Sequence, residues 1–245
     1  MIGTDLTLFI LIGLIVMVAS TIQSATGFGF ALVCMSLLPL LIPFRTAAII
    51  EIITVFFINL FISLKLRKFI RFRLLLWPFL GNLLFIPAGV YVLMISSEIF
   101  LRRMVGIALL ILMAFFVFLS DRVRMRATPL SGFVAGSVSG FIGGMIGIGG
   151  PVMAIYFLSV TDDKKVYNAT IQSYFLIGSV YTFVLHLVAG NVTGDALRYG
   201  AVALSGLCIG TAVGFAIFKK LSTTALKKII YVFMVLIGLY LLISG

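Results

Sequence analysis

The chain consists of long apolar runs separated by short polar interruptions. An α-helix of about 20 residues crosses a bilayer core of about 30 Å, and most of these runs approach that length. In chain order the ten runs are Leu6–Ser24, Phe28–Ile42, Thr46–Leu64, Leu74–Ile95, Leu101–Leu119, Leu130–Ile146, Gly150–Val160, Val166–Ala189, Ala196–Phe218 and Leu226–Ile243. The pattern predicts an all-α polytopic membrane protein.

Composition supports this class and excludes others. Of the 245 residues, 62% are hydrophobic and 10% are charged, whereas soluble domains carry about 25% charged residues. A soluble enzyme and a nucleic-acid-binding protein are therefore excluded, and the lipid bilayer is the expected surrounding. The net charge of +11 indicates cytoplasmic loops rich in Lys and Arg that contact anionic headgroups.

Two of the ten runs are too short to span the membrane comfortably. They are Phe28–Ile42 and Gly150–Val160, and each follows or overlaps a glycine-rich break, Thr26–Phe30 and Gly143–Gly150. A short helix after such a break is typical of a broken or re-entrant helix, because irregular backbone at membrane depth must be buried in protein or line a cavity.

The breaks also belong to an internal repeat. At an offset of 120 residues, Gly27 and Gly29 match Gly147 and Gly149, and a later register at 125 residues pairs Gly81 with Gly206. We therefore expect two repeats of about five hydrophobic segments each. Residues 1–127 form the first, with a basic cytoplasmic linker at its end, and residues 128–245 form the second.

Loop charge indicates how the repeats are oriented. If all ten segments reverse the chain and the basic loop Lys65–Arg73 is cytoplasmic, all but four of the 18 Lys and Arg residues lie inside. The positive-inside rule favours this arrangement over one span per broken pair, which divides the basic residues equally. Because five is odd, the second repeat is inverted. We expect a multi-pass membrane protein with both termini outside.

The two breaks are the candidate substrate site. Backbone N–H groups at a break lose their helical partners, and the next half-helix directs its positive N-terminal end at the gap, which favours an anion. The alternative is that these glycines only allow close helix packing. The candidate binding residues at the breaks are Gln23, Ser24, Thr26, Gly27, Phe28, Gly29, Gly147, Gly149, Gly150 and Pro151.

Further polar residues lie inside apolar runs, where each requires a reason. Asn168 and Gln172 share a helix face and offer amide groups either to a bound anion or to a neighbouring helix. Glu51 is a candidate carrier of a coupling proton, or else a hydrated residue near the outer interface. His186, the single histidine, is either a second proton candidate or a structural hydrogen-bonding residue.

The motif TGFG at Thr26–Gly29, its echo GIGGP at Gly147–Pro151 and the duplicated halves resemble the TauE/SafE-type sulfite exporter family, a group that includes the toluenesulfonate uptake permeases. The resemblance covers nearly the whole chain. It implies an inner-membrane permease for sulfite or an organosulfonate such as sulfoacetate, with protons as the coupling ion in some members.

Together these patterns predict a secondary transporter for a small anion that works by alternating access between the repeats. A passive anion channel on the same scaffold is one alternative, and an intramembrane enzyme is another. The enzyme reading lacks support, because the sequence contains neither an HExxH metal motif nor a GxSxG nucleophile motif. It also contains no GxxxxGK nucleotide-binding loop, so the energy source is expected to be a gradient or a separate subunit. We expect no cofactor and no metal.

Overall fold

The computed structural model describes residues 2–26, 29–118, 125–218 and 223–244, and this part of the chain consists of helices joined by turns and loops, with no strand. The α-helices are α1 (Ile2–Thr26), α2 (Phe30–Leu37), α3 (Phe44–Lys65), α4 (Phe72–Ile95), α5 (Glu98–Phe118), α6 (Pro129–Ile146), α7 (Gly150–Val160), α8 (Lys164–Val188), α9 (Gly194–Phe218) and α10 (Thr223–Ser244). Two short 3-10 helices, Leu38–Leu40 and Arg67–Phe69, follow α2 and α3. The predicted all-α polytopic class is confirmed.

Within the described residues, seven helices are long and apolar enough to cross a membrane, namely α1, α3, α4, α5, α6, α8 and α9. Helices α2 and α7 have only 8 and 11 residues, as the short runs predicted. The large apolar side chains that remain exposed, such as Phe72 and Leu130, lie on the outside of these helices. Lipid is the solvent that such a surface requires.

Local sequence fixes where several helices begin and end. Thr128 caps α6 by accepting a hydrogen bond from the Ser131 backbone N–H, and Pro129 occupies the first turn. The Asp163 carboxylate caps α8 by accepting hydrogen bonds from two backbone N–H groups, those of Lys165 and Val166. Helix α6 ends at Gly147, whose φ of 79° is a left-handed conformation that favours glycine.

Glycines bring two pairs of helices into backbone contact. On α6, a Cβ atom at Gly136 would overlap the carbonyl oxygen of Pro78 on α4, and a Cβ at Gly144 would crowd the carbonyl of Ile86. The residue numbers of the contacting positions increase in the same direction along both helices, so α4 and α6 run parallel. On α9, Gly206 and Gly214 meet α1 in the same way, at its residues 13 and 21. Helices α1 and α9 are therefore also parallel and closely packed.

The two remaining pairs are antiparallel. Along α3 and α8, Ile52 lies at the level of Ser179, because both line the same cavity, whereas Ser63 contacts Ser173. Along α5 and α10, a Cβ at Gly106 would touch Leu242, while Phe116 stacks on Tyr231.

Short connections then fix the remaining directions. Helices α3 and α4 are joined by six residues, α4 and α5 by two, and α8 and α9 by five, so each pair reverses. Consequently α1, α3, α5 and α9 point one way, and α4, α6, α8 and α10 point the other way. Since α1 and α3 point the same way, the chain turns back between them within α2 and the segment that follows it. The α6–α7 break does the same before α8. The chain therefore reverses direction at each of the two glycine-rich breaks.

Candidate functional site

One cavity of about 110 Å³ lies where the two glycine-rich breaks meet, a volume that holds several water molecules. Gln23 and Gly29 reach it from the first break, and Gly147, Gly149 and Gly150 reach it from the second. Its remaining wall comes from α2, α3, α4, α6 and α8. The residues that line it are Gln23, Gly29, Phe30, Ala31, Leu32, Glu51, Ile52, Val55, Asn82, Ile86, Ser139, Gly143, Gly147, Gly149, Gly150, Pro151, Tyr174, Phe175, Gly178, Ser179 and Thr182.

Gln23 holds the first break in place. Its side-chain oxygen accepts a hydrogen bond from the Phe30 backbone N–H over 3.1 Å, which caps the start of α2. Its Nε2 atom lies 3.5 Å from Oε1 of Gln172 on α8. Gly29, with a φ of 106°, supplies the left-handed conformation between α1 and α2. One buried amide thus connects the break to the opposite half of the molecule.

The second break is held by a backbone contact. The Ser139 hydroxyl donates to the Gly149 carbonyl over 2.9 Å, and a Cβ at Gly149 would overlap the Ser139 carbonyl oxygen. Helix α7 starts at Gly150 with Pro151 in its first turn, so its N-terminal end faces the cavity and carries a partial positive charge. The Tyr174 hydroxyl is buried beside Ser139 and makes no hydrogen bond of good geometry within the described residues.

Glu51 places a carboxyl group in the wall of the same cavity. Only 6% of the residue is exposed, and its Oε2 atom lies 3.9 Å from the position of a Cβ built at Gly147. Among the residues that the structure describes, no Lys or Arg forms an ion pair with it. An ionised Glu51 would therefore repel a second negative charge bound in the cavity.

Other predicted residues lie outside the cavity lining. Asn168 and Gln172 hydrogen-bond to each other over 3.3 Å and reach the cavity only through Gln23. Ser24 packs against Gly214 of α9, where its Cβ would crowd a Cβ built on that glycine. His186 is 1% exposed, and its Nδ1 lies 3.1 Å from Nδ2 of Asn191 near the end of α8.

The first break is only partly described. Gly27 and Phe28 lie outside the described residues, and the Thr26 side chain does as well. The predicted roles of these three residues in binding stay predictions.

Sequence reasoning missed several polar residues of the cavity, above all Asn82. This residue is 4% exposed and lies on α4 between Pro78 and Pro87. It is an amide within an apolar run, so the argument that identified Glu51 would also have found it. Ser179 and Thr182 also line the cavity from α8.

A second cavity adjoins the first and shares Ile52 and Ser179 with it. Its volume is about 440 Å³, and apolar side chains of α3, α8 and α9 line it. It is an apolar recess between these three helices, beside the first cavity.

A polytopic helical protein in which two glycine-rich breaks meet at one cavity that contains buried polar side chains has the architecture of a membrane transporter. Comparison with known proteins agrees. The family model described as "Sulfite exporter TauE/SafE" matches residues 12–241, and the chain belongs to this family. It is a family of membrane transporters and not of enzymes, so the predicted class is confirmed.

A curated relative has also been found. Over 119 residues the chain is 31% identical to the "Probable membrane transporter protein YunE" of Bacillus subtilis (strain 168). The match covers 46% of this chain and 41% of that relative, so the chain spans less than half the relative's length. No solved structure matches the chain.

Proposed function

We propose that the protein is a secondary carrier for a small anion, sulfite or an organosulfonate such as sulfoacetate, bound in the cavity between the two breaks. The observation that carries the proposal is the convergence of both breaks on this cavity. The N-terminal end of α7, the amides of Gln23 and Asn82 and the Tyr174 hydroxyl supply hydrogen-bond donors without a buried Lys or Arg. Backbone and amide donors suit the several oxygens of a sulfur oxyanion.

The carrier mechanism rests on two inverted halves, residues 1–127 and 128–245. If the two halves are exchanged, α4 takes the place of α9 and α6 takes the place of α1, so one parallel pair becomes the other. In the same exchange α3 changes places with α8, and α5 with α10, so each antiparallel pair is unchanged. This symmetry of pairing supports an inverted repeat. In such a molecule, rocking one half against the other exposes a central site first to one side and then to the other.

Protons are the proposed coupling ion, and Glu51 is their carrier. Because Glu51 shares the cavity with the substrate, anion binding is favourable only when the carboxyl group is neutral. Proton binding and anion binding then stabilise each other, and by linkage the effect is reciprocal. A proton would therefore cross with each anion. His186 lies outside the cavity lining and is the weaker candidate.

The proposed location is the bacterial inner membrane, with both termini outside and the basic loop Lys65–Arg73 in the cytoplasm. The positive-inside rule supports this orientation, because the basic loop and Lys164–Lys165 lie at the same end of the molecule. Lys165 Nζ is 5.1 Å from the Phe69 ring centroid.

Thermal unfolding of the purified protein in detergent tests the anion site. Sulfite, sulfoacetate, sulfate and acetate are compared at equal ionic strength, because a ligand that binds only the folded state raises the unfolding temperature by mass action. We expect selective stabilisation by a sulfur anion. Stabilisation by none of the four anions would reject the proposed site.

A matched pair of variants assigns the effect to the cavity. A Cβ at Gly150 meets only Phe175, at 3.6 Å, and a Cβ at Gly13 meets nothing within 4 Å. Gly150→Leu fits at its Cβ but extends into the cavity, so it should abolish the anion-induced shift, whereas Gly13→Leu should retain it.

In proteoliposomes, saturable flux driven by a pH gradient supports the carrier. Unsaturable flux that follows voltage alone supports the channel.

A further inference from the structure

Asn59 is a buried amide in the second half of α3, and it is not among the residues that line the cavity. Its exposed fraction is 0%. Neither Nδ2 nor Oδ1 has a hydrogen-bond partner among the described residues. A buried amide normally finds a partner, so one that lacks it in one conformation calls for an explanation. In a transporter that alternates between two access states, the missing hydrogen bond of the Asn59 amide can form in the other state.

The position of Asn59 links the cavity to one end of the molecule. Residues four apart share a helix face, and Asn59 is four residues from Val55, which lines the cavity, and four from Ser63. Ser63 meets Ser173 of α8 with 3.3 Å between their hydroxyl oxygens. We call the boundary between α3 and α8 from Val55 to Ser63 the seam.

Polar contacts continue beyond the seam to the membrane surface. The Arg71 backbone N–H donates to the Thr170 hydroxyl over 3.3 Å, which ties the basic loop to the start of α8. Two acidic residues, Asp162 and Asp163, lie at this end. Basic residues outnumber them there: Lys65, Arg67, Lys68, Arg71, Arg73, Lys164 and Lys165. A surplus of positive charge at the mouth of a path attracts anions.

We propose that the seam is the path by which the anion passes between the cavity and the basic end, and that Asn59 contacts the anion in transit. When α3 and α8 separate, the Asn59 amide gains the partner that it lacks in the closed seam. The inference rests on the proposed transport function and extends it. It assigns the opening boundary and a further substrate contact outside the cavity.

Thiol labelling tests whether the seam opens. The chain contains only Cys34 and Cys208, so a Cys34→Ala, Cys208→Ala background is readily made and checked for transport. Asn59→Cys in this background is treated, in vesicles of each orientation, with a membrane-impermeant thiol reagent that carries a sulfonate. Lys68→Cys identifies the vesicles that expose the basic end, and Ile58→Cys is the control, since Ile58 is 2% exposed and packs in the apolar core.

From the basic end, we expect Asn59→Cys to react roughly tenfold faster than Ile58→Cys, as an open state populated at about 0.1–10% allows. We also expect added sulfur anion to slow the reaction. Equal rates for the two cysteines from both sides would overturn the proposal. If the wild-type protein binds no anion, the proposed anion site is rejected independently of the seam. The labelling rates of the two cysteines still show whether the seam opens.

Asn59→Leu gives a second, independent readout. If the amide contacts the anion in transit, the maximal transport rate falls roughly two- to tenfold, the ratio for one lost hydrogen bond, while the Kd of the anion in the cavity stays unchanged. The unchanged Kd also shows that the variant is folded. A transport rate equal to that of the wild type would assign Asn59 to packing and overturn its proposed role.

Discussion

At the scale of single residues, Glu51 decides the charge of the cavity. The chain has two glutamates, and they differ in setting. Glu51 is 6% exposed in the cavity wall, whereas Glu98 pairs with Arg102 over 3.4 Å and accepts a hydrogen bond from the Phe44 backbone N–H. Only Glu51 lies in the cavity, so only Glu51 can repel a bound anion when it is ionised. Substitution of Glu51 therefore tests the proposal, and substitution of Glu98 is its control.

We expect Glu51→Gln to remove the pH dependence of anion binding. In the wild-type protein, affinity for a sulfonate should fall as pH rises through the titration of Glu51, by up to about tenfold per pH unit, because one proton must bind with the anion. The variant is permanently neutral, so its affinity should be high and constant. Titration calorimetry with a sulfonate at several pH values measures this, since the sulfonate itself stays ionised.

Glu98→Gln is the matched control and should keep the pH dependence of the wild-type protein. In proteoliposomes, Glu51→Gln should also lose transport driven by a pH gradient while retaining exchange of anion for anion. An unaltered pH dependence in Glu51→Gln would show that another group carries the proton.

The neighbouring glycines Gly149 and Gly150 should respond differently to the same small change. A Cβ at Gly149 overlaps the Ser139 carbonyl oxygen, whereas a Cβ at Gly150 meets Phe175 at an ordinary 3.6 Å. Gly149→Ala should therefore destabilise the fold by roughly 1–3 kcal/mol through overpacking. Gly150→Ala should leave the free energy of unfolding nearly unchanged. Thermal unfolding in one detergent compares the two, and equal losses would contradict the described geometry of the break.

At the scale of helices, small residues on α6 set how closely it approaches α4. A Cβ at Gly136 would overlap the Pro78 carbonyl, whereas a Cβ at Gly143 on the same helix meets only Gly149, at 3.6 Å. We expect Gly136→Ala to lower the unfolding temperature and Gly143→Ala to leave it near that of the wild-type protein. Since Asn82 lies one helical turn after Pro78 on α4 and lines the cavity, Gly136→Ala should also weaken anion binding. Stability unaffected by Gly136→Ala would contradict the α4–α6 contact.

The sequence alone predicts most of the helices. The predicted run Gly150–Val160 coincides with α7, and Leu130–Ile146 differs from α6 by one residue. In lipid every backbone group must be hydrogen-bonded internally, so a long apolar run has no other structure to adopt. The breaks can also be predicted from the sequence, because clustered glycines indicate where a helix ends.

The candidate site is less predictable, because it depends on which helices meet. Gln23 and the second break were expected near one another, and the structure brings them to one cavity. Asn168 and Gln172 face the cavity only through Gln23, while Asn82, Ser179 and Thr182 reach it directly. Periodicity assigns a residue to a helix face, but the neighbour of that face is set by packing between elements distant in sequence.

At the scale of the whole molecule, the proposed inverted arrangement of the halves follows from the reversal of the chain at the two breaks. If each break continued in a straight line, each half would hold an even number of spans and the halves would be parallel. The antiparallel pairs α3–α8 and α5–α10 would then be impossible. Because the chain turns back at each break, the helix directions are those that the proposed inverted repeat requires, and the N-terminal ends of α2 and α7 reach the same cavity. The orientation of the loops should therefore be a direct test of the proposed mechanism.

We expect Lys68 and Asp162 to face the cytoplasm and Val192 to face outside. Lys68 and Asp162 lie at the basic end, beyond α3 and before α8, and Val192 follows the opposite end of α8. In the background without native cysteines, Lys68→Cys and Asp162→Cys should react with an impermeant thiol reagent only in inside-out vesicles, and Val192→Cys only in right-side-out vesicles. Reversed labelling of all three would leave the fold intact but overturn the orientation. Labelling of Lys68→Cys and Asp162→Cys from opposite sides would contradict the antiparallel α3–α8 pair, and with it the inverted repeat on which alternating access depends.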